Sequence, residues 1–171
     1  MTQIADGAGA DIQSILSAAL AGFTGQGTLG NGISRSASKT VTFTGGSGLG
    51  LSGTNTAWFT VTGGLVLIER ISGRVTTSLT VAAGATATLG VTGSTALFIA
   101  ATLGSALLTS AEIWMSTTPT AAGLAAPAAC KDIVIDANVL SAIATNDITG
   151  GVIEMNVIWR PLTPGAVLAA A

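Results

Sequence analysis

The chain contains no histidine, no tyrosine and only one cysteine. Without histidine, the commonest general base, the commonest metal ligand and every Ser-His or Cys-His nucleophile arrangement are excluded, so any enzymatic reading is confined to carboxylate chemistry. Cys130 has no partner for an internal disulfide. Beside the small residues Ala125 to Ala129 it reads as a buried hydrophobe rather than a reactive thiol. Charge is scarce as well: 8% of residues are charged, against about 25% in a typical soluble protein. Six basic residues and a pI near 4.7 leave no electrostatic footprint for nucleic acid. Long hydrophobic runs are also missing. The longest, Ala96 to Leu108, is shorter than the about 20 residues of a spanning helix and is broken by Gly104 and Ser105, which argues against a membrane span. No Lys or Arg precedes Arg35, so the basic start of a signal peptide is missing and cytoplasmic synthesis without Sec export is expected.

What is present is apolar and small. Of 171 residues, 49% are hydrophobic and 23 are glycine, with a mean hydropathy of +0.69. A chain of this length makes one domain that buries roughly 70% of its unfolded surface. With so little charge, Thr, Ser and Gly must form the solvent face, and neighbouring subunits are expected to cover part of the apolar surplus.

Alternation is clearest from Leu65 onward. Leu65, Leu67, Ile71, Val75, Leu79 and Val81 are apolar, while Arg70, Ser72, Arg74, Thr76 and Ser78 are polar; Val66 and Ile68 blur the pattern. That is the period of a half-buried strand. After the turn signal Ala83-Gly84, the residues Ala85, Ala87, Leu89 and Val91 continue the theme, so the two runs read as an antiparallel pair sharing one core face. Further strands are expected around Val41 and Phe43, over Ala57 to Thr62 with Trp58 on the outer side, at Leu97 to Ala101, around Trp114, and along Ile133 to Val139. The strongest closes the set at Val152 to Arg160, after turn signals at Asn146-Asp147 and Gly150-Gly151 and before Pro161 and Pro164. The fold class that follows is all-β, an antiparallel β-sandwich of possible jelly-roll type, with one N-terminal helix.

The domain reading has three parts: an arm over 1–38, a β-sandwich over 39–164, and an apolar tail over 165–171. Within the arm, Asp11 reads as an N-cap, and Ile12, Ile15, Leu16, Ala19, Leu20 and Phe23 share one face of a helix over about 11–23 that Gly22 and Gly25 end. That stripe either caps the open end of the core or docks on a partner. Arm and tail are both expected to contribute to contacts between copies.

Motifs for chemistry are weak. Asp132 and Asp136 share the solvent side of an expected strand, where solvated charges are the simpler reading than a catalytic pair. Gly25 to Gly30 matches G-x-G-x-x-G literally, but it follows a helix instead of a strand, and no acidic residue lies between Asp11 and Glu69 to hold a ribose. No closely spaced oxygen ligands suggest calcium. The expectation is a protein with no catalytic residues, metal or cofactor.

Several residues stand out as interface candidates. Glu69 falls on the apolar side of its strand, which implies either a bulge near Gly73 or a buried partner such as an arginine from another subunit. Trp58 and Trp114, on outer sides by parity, could stack a sugar, anchor a protein, or pack inside. Arg70, Arg74 and Arg160 share polar sides with Glu154, as surface pairs or intersubunit pairs.

The run LVLIERISGRVTTSLTVAAGATATLGVTG, the EIW segment at Trp114, DIVIDANV, and DITGGVIEMNVIWRPLTPG ending near Pro164 together resemble the small β-sandwich capsid decoration (cement) proteins of tailed bacteriophages. In that family a closing strand with an aromatic residue follows an I-T-x-G turn, here Ile148-Thr149-Gly150-Gly151 through Trp159. The resemblance implies a structural virion protein on the capsid exterior, made in the host cytoplasm. It would bind the major capsid protein as a homotrimer at local threefold positions and stiffen the shell. The N-terminal helix departs from the shortest members, which keeps a fibre base, a carbohydrate-binding fibre or adhesin module, or a tail-tube module as alternatives.

Overall fold

The computed structural model describes residues 33–45, 49–107 and 110–171. The expected helix over 11–23, with Ile12, Ile15, Leu16 and Leu20, lies outside these residues. The described residues form ten strands: β1 (Arg35–Thr42), β2 (Asn55–Thr62), β3 (Val66–Val81), β4 (Thr86–Val91), β5 (Ser94–Leu103), β6 (Ile113–Trp114), β7 (Ile133–Ile135), β8 (Val139–Ala144), β9 (Ile148–Pro161) and β10 (Val167–Ala170). They make two antiparallel sheets. Sheet I runs β1-β9-β3-β6, with β7 also on β3, and sheet II runs β10-β2-β8-β4-β5. The inner faces meet in one core that includes Ile71, Val75, Ile153, Met155 and Val157 of sheet I and Phe59, Ala87, Leu89, Val139 and Ile143 of sheet II. The all-β sandwich expected from the alternation is therefore the fold.

The long strand and the run after it do not pair. β3 pairs with β9 along one edge and with β7 and β6 at Val66–Ile68 and Gly73–Arg74 on the other, while β4 pairs with β8 and β5. The chain turns at Ala82–Ala85, with the Ala85 N–H donating to the Ala82 carbonyl at 3.1 Å, and crosses to sheet II. Both apolar faces still point into one core. Periodicity specifies which side of a strand is buried, and a face-to-face crossing satisfies it as well as a hairpin does.

A bulge also corrects the parity of β3. Ile68 opposes Trp159 while Arg70 opposes Ile158, so Glu69 is the extra residue. Before it the even residues Val66 and Ile68 are fully buried, and after it the odd residues Ile71 and Val75 are. The bulge sits at Glu69 itself, not near Gly73, and Leu65, expected inside, is exposed.

Four expected boundaries shift. β1 starts at Arg35, inside the expected arm, because the Arg35-to-Thr42 run finds a full ladder along β9. The tail is strand β10 on β2, with Ala166 and Leu168 buried in the core. Gly150-Gly151 is no turn: it lies within the 14-residue β9, where Gly151 takes φ +104° beside register shifts opposite Thr77 and Thr80. The Ile133-to-Val139 run splits, β7 joining sheet I and β8 sheet II. Asn138 fixes that crossing, its Oδ1 accepting from the Val61 N–H at 3.0 Å and its carbonyl accepting from the Thr92 N–H at 3.2 Å. Asp132 and Asp136 consequently flank a three-residue strand, both exposed. Across the open side, where edge strands β1 and β10 approach each other, Lys39 donates from Nζ to the Ala171 backbone oxygen.

Candidate functional site

Trp58 and Trp114 are core residues, 1% and 0% exposed, so parity misplaces them and, of the readings open to them, packing inside is the one the structure has. In β2 the register shifts between Ala57 and Phe59, and the extra residue lets Trp58 and Phe59 both enter the interior. In β6, Trp114 pairs with Gly73, whose missing side chain matters: a Cβ there would lie 2.8 Å from Met155 Sδ and 3.4 Å from the Trp114 ring. The two indoles meet edge to face at 6.1 Å, and Phe43 packs on Trp58 at 6.4 Å. Neither indole is open to a sugar or to another protein. Cys130 is buried too, its thiol donating to the Met115 carbonyl at 3.2 Å, and burial pushes its pKa up to about 11.

The remaining interface candidates gather on the outer face of sheet I. Arg70 and Arg74 project outward from β3, and Arg160 from β9. The Glu69 bulge turns its carboxylate toward Arg160, with Oε1 3.5 Å from Nε. That distance is long for a hydrogen bond, so the contact is Coulombic, half-exposed, and worth little more than a surface pair. Within the chain, then, the Glu69 carboxylate meets Arg160. Arg70 and Arg74 have no carboxylate within 4 Å among the described residues. Next to them lies a groove of about 240 Å³ lined by Arg70, Ser72, Ile113, Met115, Leu124 and Ala126. Its walls are β6 and the loop after it, held by reciprocal bonds between Ile113 and Thr120. A guanidinium on a rigid strand beside an apolar hollow can receive a carboxylate carried next to an apolar group.

How charge divides between the sheets emerges from strand pairing. The strands of sheet I carry Arg35, Lys39, Arg70, Arg74 and Arg160 against Glu69 and Glu154. Arg35, missed in the sequence reading, holds its guanidinium 5.4 Å from the ring centroid of Trp159, its cross-strand partner. The strands of sheet II carry no charged residue at all. Glu112, Lys131, Asp132, Asp136 and Asp147 lie in the connections.

Among the described residues no group of three or more potential metal ligands occurs, and no helix is long and apolar enough to cross a membrane. No protein-family model matches the chain, and neither a curated protein nor a solved structure matches it.

Proposed function

We propose that the protein is a structural virion subunit that decorates and stabilises a tailed-phage capsid, bound to the major capsid protein lattice as an oligomer on the shell exterior. The observation that carries this reading is the outer face of sheet I. Arg70 and Arg74 stand there on the 16-residue strand β3 with no carboxylate within 4 Å among the described residues, Glu154 being the cross-strand neighbour of Arg74, and Arg70 lines the groove. A preorganised face of this kind suits a protein surface that presents carboxylates among apolar side chains. The reading also accounts for a chain poor in charge whose strand pattern resembles that of cement proteins. The sugar-binding alternative needed an exposed aromatic at position 58 or 114, and both indoles are interior.

The test is co-sedimentation of purified protein with undecorated phage shells. Wild type adds at a fixed ratio per capsomer, and Arg70→Glu with Arg74→Glu abolishes the addition while the fold is kept. Failure of the wild type to bind any such shell, or undiminished binding by the double variant, overturns the reading.

A further inference from the structure

The groove beside Arg70 lies at a break in sheet I. Along that edge of β3, β7 pairs with Val66–Ile68 and β6 with Gly73 and Arg74, and no described strand pairs with the residues between them. Arg70 and Ser72, two positions apart on the outer side of β3, form one wall of the groove, and the half-buried Ile113, Leu124 and Ala126 face them. A cation and an apolar hollow therefore stand side by side.

We propose that Ile4-Ala5-Asp6 of the same chain occupies this groove, with the Asp6 carboxylate on the Arg70 guanidinium and Ile4 against Ile113 and Leu124. Charge points to this occupant. From Met1 to Ser34 the only charged side chains are Asp6 and Asp11, both acidic, whereas cations outnumber carboxylates on the strands of sheet I. Asp11 is the expected N-cap of the helix over 11–23, where backbone N–H groups engage its carboxylate, and this leaves Asp6. In an extended chain, residues two apart project to the same side about 6.6 Å from each other. Ile4 and Asp6 then match the spacing of Ser72 and Arg70. Reach permits the contact as well. Arg35 opposes Trp159, which opposes Ile68, so the chain enters sheet I two strands away from β3. At about 4.8 Å per strand the groove is about 15 Å from that point. Residues Gly7 to Ser34 cover about 40 Å even at the helical rise of about 1.5 Å per residue. Such a tether holds the segment at an effective concentration on the order of millimolar, far above that of a second copy in dilute solution. The chain's own segment is thus favoured over a neighbour's. If the shell reading holds, a shell carboxylate must displace Asp6 from Arg70. That consequence rests on the shell reading, and the docking itself does not.

Thiol labelling tests the docking without shells. Ser72→Cys places a thiol on the groove wall, while the native Cys130 is buried and silent near neutral pH. Iodoacetamide should label the groove thiol about tenfold more slowly in the otherwise unaltered chain than with Asp6→Asn, the ratio expected of a weak contact held at millimolar effective concentration. The rate should not change with protein concentration, and Asp11→Asn should keep the protection. Asp6→Arg should abolish it, and adding Arg70→Asp should restore it, a recovery that misfolding would not produce. Ser38→Cys, on β1, should label equally fast with and without Asp6→Asn. Equal groove rates with and without Asp6→Asn, protection that follows Asp11, or a reversed pair that stays open overturns the proposal. Protection that disappears on dilution also overturns it, because a second copy would then be supplying the segment. Failure of shell co-sedimentation leaves these rates untouched, so the two readings fail separately.

Discussion

The indole Nε1 of Trp114 donates a 3.0 Å hydrogen bond to Oγ1 of Thr102 in the core, joining β6 of sheet I to β5 of sheet II. Thr102 is one of two buried polar residues among the described ones, and its hydroxyl in turn donates to the Ala100 carbonyl at 3.1 Å. Replacing it with valine keeps the shape and strands the indole donor. Thr102→Val should lower unfolding free energy by about 1 to 3 kcal/mol. Denaturant titration measures it, and an unchanged midpoint would show that the bond contributes nothing.

Two glycines with positive φ test backbone crowding separately from backbone conformation. A Cβ on Gly50 would lie 2.0 Å from the Ile148 carbonyl oxygen, whereas one on Gly53 would meet nothing within 4 Å. Gly53→Ala should cost about 1 kcal/mol for the left-handed conformation alone. Gly50→Ala adds a backbone clash and should cost at least about 3 kcal/mol. Equal thermal shifts for the two would contradict this account.

Leu168 belongs to the core although it lies near the end of the chain. At 3% exposed, on a strand paired with β2, it should behave as any core leucine. Leu168→Ala is expected to lose about 2 to 5 kcal/mol of stability at a fixed protein concentration. If the loss instead vanished on dilution, the segment would be acting between copies.

Cys130 sets an alkaline limit. Its thiol is raised from 9.0 to about 11 by desolvation, so the unfolded chain gives up this proton before the folded one does. Stability from this group is fully present below pH 9 and falls as pH rises toward 11, by on the order of 2 kcal/mol. The difference between wild type and Cys130→Ala isolates the thiol: the gap should narrow over that window and stay constant below it. A thiol reagent should leave the native protein unmodified at pH 8 and label it only on unfolding.

Much of the fold was legible as alternation, because burial on one side of a strand imposes a period of two on any sequence. The runs at 57–62, 85–91, 97–101 and 152–160 are all strands in the structure. Parity failed at Trp58 and at Glu69, and for one reason. Each strand carries an extra residue there, and a bulge exchanges the two faces without leaving a composition signal. Trp114 was misplaced for another reason: its room comes from Gly73, forty-one positions earlier, and no local pattern couples the two. β8 and β10 were readable in hindsight, from Val139, Ser141 and Ile143, and from Leu168 in an otherwise small-residue tail.

By itself, the sequence determined that this chain would be a β-rich domain without histidine chemistry, and that it would be short of charge to cover itself. Those are properties of composition and period, which survive any arrangement of the strands. Tertiary structure alone decided how the scarce charge is shared out. Strands β1, β3 and β9 hold every charged strand residue, and they are scattered along the chain until hydrogen bonding sets them side by side. Five uncharged strands become one uncharged face by the same pairing. Which strands pair depends on long-range register, and that register is settled by the fit of side chains between the two sheets.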